Sequence, residues 1–311
     1  MIRCQFKRRV AAGFLLFVLA ATWLMGCGDR SNSPTLAAPT VTPPIQAATT
    51  APPEPSSTPT PEPAAALVNG EAISLAAYQA ELERYRAAIG AQSGTELATE
   101  DQQTVLDDMI NRTLLAQAAA EAGFRVDESL LQARYDALVA QLGGSQALAD
   151  WMSAYGYDEA TFRRDLAQTI AAAWMRDRII DSVPEMAEQV HARQILLYNS
   201  AQAEQALAEL GAGRDFAELA AAYDPLGRGD LGWFPRGYLL HPALEEAAFS
   251  LQVGEISALI ETPVGFHIIQ VVERDPQRRL APDARLTLQM QALQDWLAER
   301  RSQSEIRILL P

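Results

Sequence analysis

Two glycine-bounded runs constrain this chain more than any other feature: Gly229-Asp230-Leu231-Gly232-Trp233-Phe234 and Gly265-Phe266-His267-Ile268-Ile269. Glycine around a short apolar run marks tight turns feeding strands, because it enters left-handed backbone without a Cβ clash. The surrounding pattern predicts strands at residues 192–198, 256–260 and 266–272. In the first, Arg193, Ile195 and Leu197 share one face and Gln194 and Leu196 the other. Ser200 is placed to cap a helix to Leu210, Asp215-Phe216 opens another to Ala222, and a third spans Pro242 to Phe249. Mixed strands with helices on one side make a compact α+β layer.

The flanks read as helix. Val68-Asn69-Gly70 is a turn and Ser74 an N-cap, followed by Leu75, Tyr78, Leu82, Tyr85 and Ile89 at helical spacing. Further stripes start near Thr99, at Asp127, at Ser145 and at Asp158, with stops at Gly123, Gly143-Gly144, Gly156 and Pro184. After Pro282, Leu286, Met290, Leu293 and Leu297 form one more stripe, and Ile306-Arg307-Ile308 alternates like a strand. A lone helix and strand have no core, so this terminal piece is expected to return onto residues 66–189. Most stripe positions are core. Trp151, Met152 and Tyr155-Gly156-Tyr157 are candidates for an adaptable apolar surface.

The N-terminal end reads as an address. Arg3, Lys7, Arg8 and Arg9 precede an apolar run from Val10 to Trp23, shorter than the roughly 18–20 residues of a spanning helix. Leu24-Met25-Gly26-Cys27 resembles a bacterial lipobox, which implies a signal peptide over 1–26 and lipid on Cys27. An uncleaved single-span anchor is the other reading. Ten of the 18 prolines fall between Gly28 and Ala65. That composition cannot offset its ordering entropy and favours polyproline II. Residues 27–65 are therefore expected to be a tether with a reach of up to about 100 Å. Loss of the four basic leader residues would take the formal charge from −14 to −18. Such an excess repels nucleic acid and anionic headgroups, so membrane attachment falls to the lipid.

From Val190 to Asp275 the glycine-bounded motifs, with Gly254-Glu255-Ile256-Ser257 between them, resemble the parvulin family of peptidyl-prolyl isomerases. The whole layout after the tether resembles SurA- and PrsA-type chaperone foldases. The resemblance implies an α+β fold: a helical chaperone-like domain, residues 66–189 completed by 277–311, carrying an inserted parvulin-like domain at 190–276. It further implies a paired histidine centre, an acidic or thiol residue in the preceding loop, and an apolar slot for a proline ring. On this chain the second histidine is His267 and the first position holds Gln194. Gln hydrogen-bonds but offers no titratable ring. The shortened loop Tyr223 to Arg228 offers Asp224, beside the usual acidic position. The slot maps to Leu239 or Leu240, Leu244, Phe249, Thr262 and Phe266. His191 lies on the opposite face from Gln194, Asp230 reads as a turn residue and His241 as a loop residue. His267 itself reads either as a binding residue or as a core histidine.

The chemistry implied is rotation about an X-Pro bond, whose barrier is about 18–20 kcal/mol. It needs apolar enclosure and a few oriented polar groups, and no cofactor. Three scattered histidines and no cysteine beyond Cys4 and Cys27 supply no metal set. The expected partners are unfolded or newly exported polypeptides with X-Pro bonds, and the expected location is the cell envelope, lipid-anchored and extracytoplasmic. A non-catalytic module that binds unfolded chains is the alternative.

Overall fold

The computed structural model describes residues 63–90 and 97–310. The leader, Cys27 and the tether up to Glu62 lie outside the described residues, while Ala64 and Ala65, expected to end the tether, are already strand, with Ala65 fully buried. The chain divides into two compact units, one built on residues up to 110, 132–162 and 307 onward, the other on 111–131 and 163–306.

In the first unit, β1 (Ala64–Val68) and β2 (Glu71–Ser74) form a hairpin closed by Asn69 and Gly70, with φ of 52° and 84°. Two positive φ values in succession make the tight turn whose twist matches the strands. The Asn-Gly pair read as a simple turn is thus a hairpin, and β7 (Ile306–Ile308) adds to it in the order β2-β1-β7. Ser74 Oγ accepts the Ala77 N–H at 3.1 Å and starts α1 (Leu75–Ala88). The helices α2 (Thr99–Glu121), α3 (Glu128–Leu142), α4 (Ser145–Ala154) and α5 (Glu159–Asp181) follow at the predicted places; α4 lies wholly in this unit, while α2 belongs to it up to Ile110, α3 from Gln132 and α5 up to Phe162. Val68, Ile73, Tyr78, Leu106, Ile110 and Leu148 are among the buried residues of this unit. Of the residues proposed as an open surface, Tyr155 is exposed, Trp151 and Tyr157 are half-buried and Met152 is buried. Trp151 packs on Tyr155, Tyr157 and Phe162, and Arg84 lies 4.4 Å over the Tyr157 ring.

The second unit centres on an antiparallel sheet ordered β4-β3-β6-β5. β3 (Met186–Leu197) and β6 (Gly265–Arg279) are its two long central strands, flanked by β4 (Asp230–Pro235) and β5 (Ile260–Thr262). The strand expected at 256–260 is displaced: Ile256 makes only an isolated bridge to Gln270, and regular pairing begins at Ile260. Asn199, not Ser200, caps α6 (Ser200–Gly211), accepting the Ala201 and Gln202 N–H groups. Asp215 caps α7 (Phe216–Tyr223) as expected.

Helices cover both faces of this sheet, not one. Ile195, Leu197 and Ile268 pack beneath α6 and α7 with Ala203, Leu210 and Leu219. Val190, Ala192, Ile269 and Val271 pack on the other face with Phe234 and with Leu244, Ala248 and Phe249 of α8 (Pro242–Ser250). Both parities of the central strands are apolar, so each side needs a cover. In the same unit, Leu293 and Leu297 of α9 (Pro282–Ser302) pack with Leu115, Ala172 and Ile179.

Candidate functional site

Strand alternation puts Gln194 of β3 and His267 of β6 on the α8 face, offset diagonally because Gln194 pairs with Ile269 and Leu196 with His267. Their side chains meet: His267 Nδ1 lies 3.0 Å from Gln194 Oε1. On the other side of the ring, Nε2 lies 2.9 Å from Thr262 Oγ1 at the end of β5. With the Gln194 amide oxygen as acceptor the ring proton sits on Nδ1, and Nε2 shares the Thr262 hydroxyl proton with Gly265 O, 3.2 Å from Thr262 Oγ1. Val264 N–H donates to the same Thr262 oxygen at 3.3 Å. The imidazole is therefore held edge-on by two polar neighbours and is 3% exposed. Burial, and after it the nearby His241, pushes its pKa below the ordinary 6.5. The ring is neutral at physiological pH.

That depression has a testable sign. The unfolded chain takes up its proton near pH 6.5, before the folded one does. Stability from this group is complete above that pH and is lost as pH falls below it toward the folded value. Urea midpoints measured from about pH 7.5 to about pH 5.5 are expected to fall, and to fall less steeply in His267→Gln. Equal slopes in the two proteins would contradict the assignment.

Asp224 ends α7 and is committed to its own loop. Its carboxylate accepts the Gly227 and Gly229 N–H groups at 2.9 and 3.2 Å, which hold its pKa below the usual carboxylate range. The loop so fixed rests on β3, where Gln194 N–H donates to Gly229 O at 2.7 Å. Asp224 thus positions the backbone of Gln194, and no hydrogen bond joins its side chain to His267 among the described residues. Asp230 forms the turn read from the sequence, accepting Gly232 N–H at 2.9 Å, and also meets His191 Nε2 at 2.8 Å. His191 lies on the face away from Gln194 and stacks on Trp233.

The slot residues separate. Leu244 and Phe249 are core residues under α8, and Leu239 packs partly buried beside them. Leu240, the other residue of the Leu239/Leu240 alternative, is 88% exposed. Phe266 packs with the cluster beneath α6 and α7, on the opposite face from His267, and so does not belong to the slot. Thr262 is brought to the histidine directly.

Three contributions escaped the sequence reading. His241 stands at the N-cap of α8, with its ring centroid 6.4 Å from that of His267. Its signal was Pro242, which favours the first helical position and so fixes the residue before it. Glu245 accepts the N–H groups of Gly237, Tyr238 and Leu239 at 2.7, 3.1 and 3.3 Å, clamping the loop that carries Leu239. Gly229 is packed so closely that a Cβ there would lie 2.0 Å from Gln194 O.

Residues 184–273 match the model of the PPIC-type PPIase domain, and residues 55–141 match that of the SurA-like N-terminal domain. The chain is 30% identical over 225 residues to the foldase protein PrsA of Caldanaerobacter subterraneus, covering 66% of this chain and 72% of that one. It is 37% identical over 150 residues to the chaperone SurA of Methylobacillus flagellatus, covering 42% of this chain and only 34% of the relative. A crystal structure of PrsA from Bacillus cereus aligns over 75% of this chain and 87% of that one, at 18% identity and a TM-score of 0.45. The chain belongs to the PrsA- and SurA-related family of foldases and chaperones, and carries that family's PPIC-type peptidyl-prolyl isomerase domain.

Proposed function

We propose that this chain is a lipid-anchored envelope foldase that acts on X-Pro bonds of newly exported polypeptides. The helical body, residues 66–189 with 277–311, holds the client, and the inserted module at 190–276 isomerises it. Cys27 carries the lipid, and the proline-rich segment spaces the folded part from the membrane. No described helix is long and apolar enough to cross a membrane.

The observation that carries the isomerase reading is the neutral His267 held between Gln194 and Thr262, with His241 nearby. Rotation about an X-Pro bond breaks no bond, so the site needs no proton to move. It has to favour the twisted amide over the planar one by oriented dipoles in an apolar setting. A fixed neutral imidazole suits that requirement, and burial already disfavours the charged form. The commitment of Asp224 to Gly227 and Gly229 favours the second reading, a module that binds X-Pro segments without accelerating them.

An isomerisation assay on a proline tetrapeptide separates the two. The full chain is expected to exceed the uncatalysed rate, with His267→Ala lowering kcat/KM about tenfold. A rate equal to background, with client aggregation still suppressed, would leave the binding module as the function.

A further inference from the structure

The stripe predicted on α9 is only half used in packing. Leu293 and Leu297 join the core with Leu115 and Ile179. Leu286 and Met290, one helical turn apart, are 57% and 56% exposed. Beside them is an open cleft of about 550 Å³ lined by Glu185, Arg279, Leu280, Arg285, Leu286 and Gln289. Its size falls in the range of ligand clefts, roughly 300–1,000 Å³. Leu280 is buried at its base. Glu185 and Arg279 neutralise each other at 2.9 Å across the β3–β6 end. Arg285 differs: its Nε is buried with no hydrogen-bond partner among the described residues. That Nε stays covered, but with Glu185 and Arg279 paired to each other, the terminal guanidinium nitrogens of Arg285 are the cleft's charge left to attract an arriving carboxylate.

We propose that this cleft binds an extended client segment in which an acidic residue adjoins an apolar one. The carboxylate pairs with Arg285, and the apolar neighbour covers Leu286 and Met290. Gln289, one turn from Arg285, donates through Nε2 to Ile180 O at 3.3 Å, so its Oε1 is the group that can accept a client backbone N–H. The two rows, Arg285 with Gln289 and Leu286 with Met290, each run about 6 Å along the helix, and only Met290 extends beyond the cleft lining. The client class rests on the foldase reading above, while the site lies outside the His267 centre.

The test uses the full chain in detergent and a dansylated, C-terminally amidated, proline-free peptide, Gly-Ser-Phe-Glu-Leu-Ser-Gly, followed by fluorescence anisotropy. Arg285→Gln is expected to weaken binding about tenfold and Met290→Ser about fivefold. Replacing Glu by Gln in the peptide should cost as much as Arg285→Gln. Binding should be unchanged in His267→Ala, and proline isomerisation unchanged in Arg285→Gln and Met290→Ser. Equal affinity for the Gln peptide, or unaltered binding by both cleft variants, would overturn the inference. So would binding confined to the peptide with a free C-terminal carboxylate. Loss in His267→Ala alone would place the peptide at the isomerase-like centre, leaving the proposed function intact and this cleft empty. A dimer abolished by Arg285→Gln, without peptide binding, would assign the cleft to a second copy.

Discussion

Gly229→Ala is expected to lose about 3 kcal/mol of stability, more than a change of one methyl group ordinarily costs. Two effects combine. The backbone at Gly229 has φ +69°, in the left-handed region, where a β-carbon alone costs about 1–2 kcal/mol. The new Cβ would also lie 2.0 Å from the carbonyl oxygen of Gln194, a fixed backbone atom of a central strand. Relief requires the loop to lift from β3, breaking the 2.7 Å bond between Gln194 N–H and Gly229 O and the bond from Gly229 N–H to Asp224. Gly254→Ala is the matching control, since φ there is +89° with nothing within 4 Å of the added atom. It should cost about 1 kcal/mol, from conformation alone. Urea unfolding of both variants measures the difference. Equal losses would mean that the loop accommodates the methyl and does not press on Gln194. The same lift would disturb the Gln194–His267 bond, so Gly229→Ala should also impair whatever the His267 centre does.

Phe234→Ala is expected to cost about 3–5 kcal/mol. Phe234 is fully buried on the α8 face of β4 and meets the Phe249 ring edge-on, with centroids 6.1 Å apart. It shares a buried cluster with Val190, Ala248 and Ile269, and close-packed neighbours on rigid strands collapse little into a void. Leu226→Ala, at a residue 97% exposed, should stay within about 0.5 kcal/mol of the parent. A loss below about 1.5 kcal/mol for Phe234→Ala would show that α8 follows the cavity inward. The consequence would then reach Leu239 and His241, which flank the N-terminal end of that helix.

Much of the framework was legible because periodicity and caps are local. Ser74, Asp215 and the glycine stops fixed helix ends, and Ile306-Arg307-Ile308 alternated as the strand it is. The two-sided cover of the sheet was written in Ile268-Ile269, since adjacent buried residues on a strand must face opposite ways. Reading helices on one side overlooked it. The same parity excludes Phe266 from a slot shared with His267; the family correspondence placed it there, and alternation overrules it. The commitment of Asp224 was not legible from residue type, because a carboxylate in a loop can serve chemistry or backbone equally. Only the arrival of Gly227 and Gly229 N–H groups decides between them. His241 was hidden for a different reason: its approach to His267 joins a helix cap to a strand, a contact with no local pattern.

The β3–β6 pair has a property that neither end shows alone. It carries Gln194 and His267 at one end and Glu185 and Arg279 at the other, and the buried Gln189 amide ties it across to the Arg278 and Arg279 carbonyls at 2.8 and 3.1 Å. Nine residues of strand between Glu185 and Gln194 span about 30 Å. On the two proposals above, the ribbon would act as a ruler: prolines fewer than about nine residues from a segment held in the cleft could not reach His267, and those near that spacing would reach it best. At that spacing the second engagement becomes intramolecular, and weak contacts at both ends combine into selective retention.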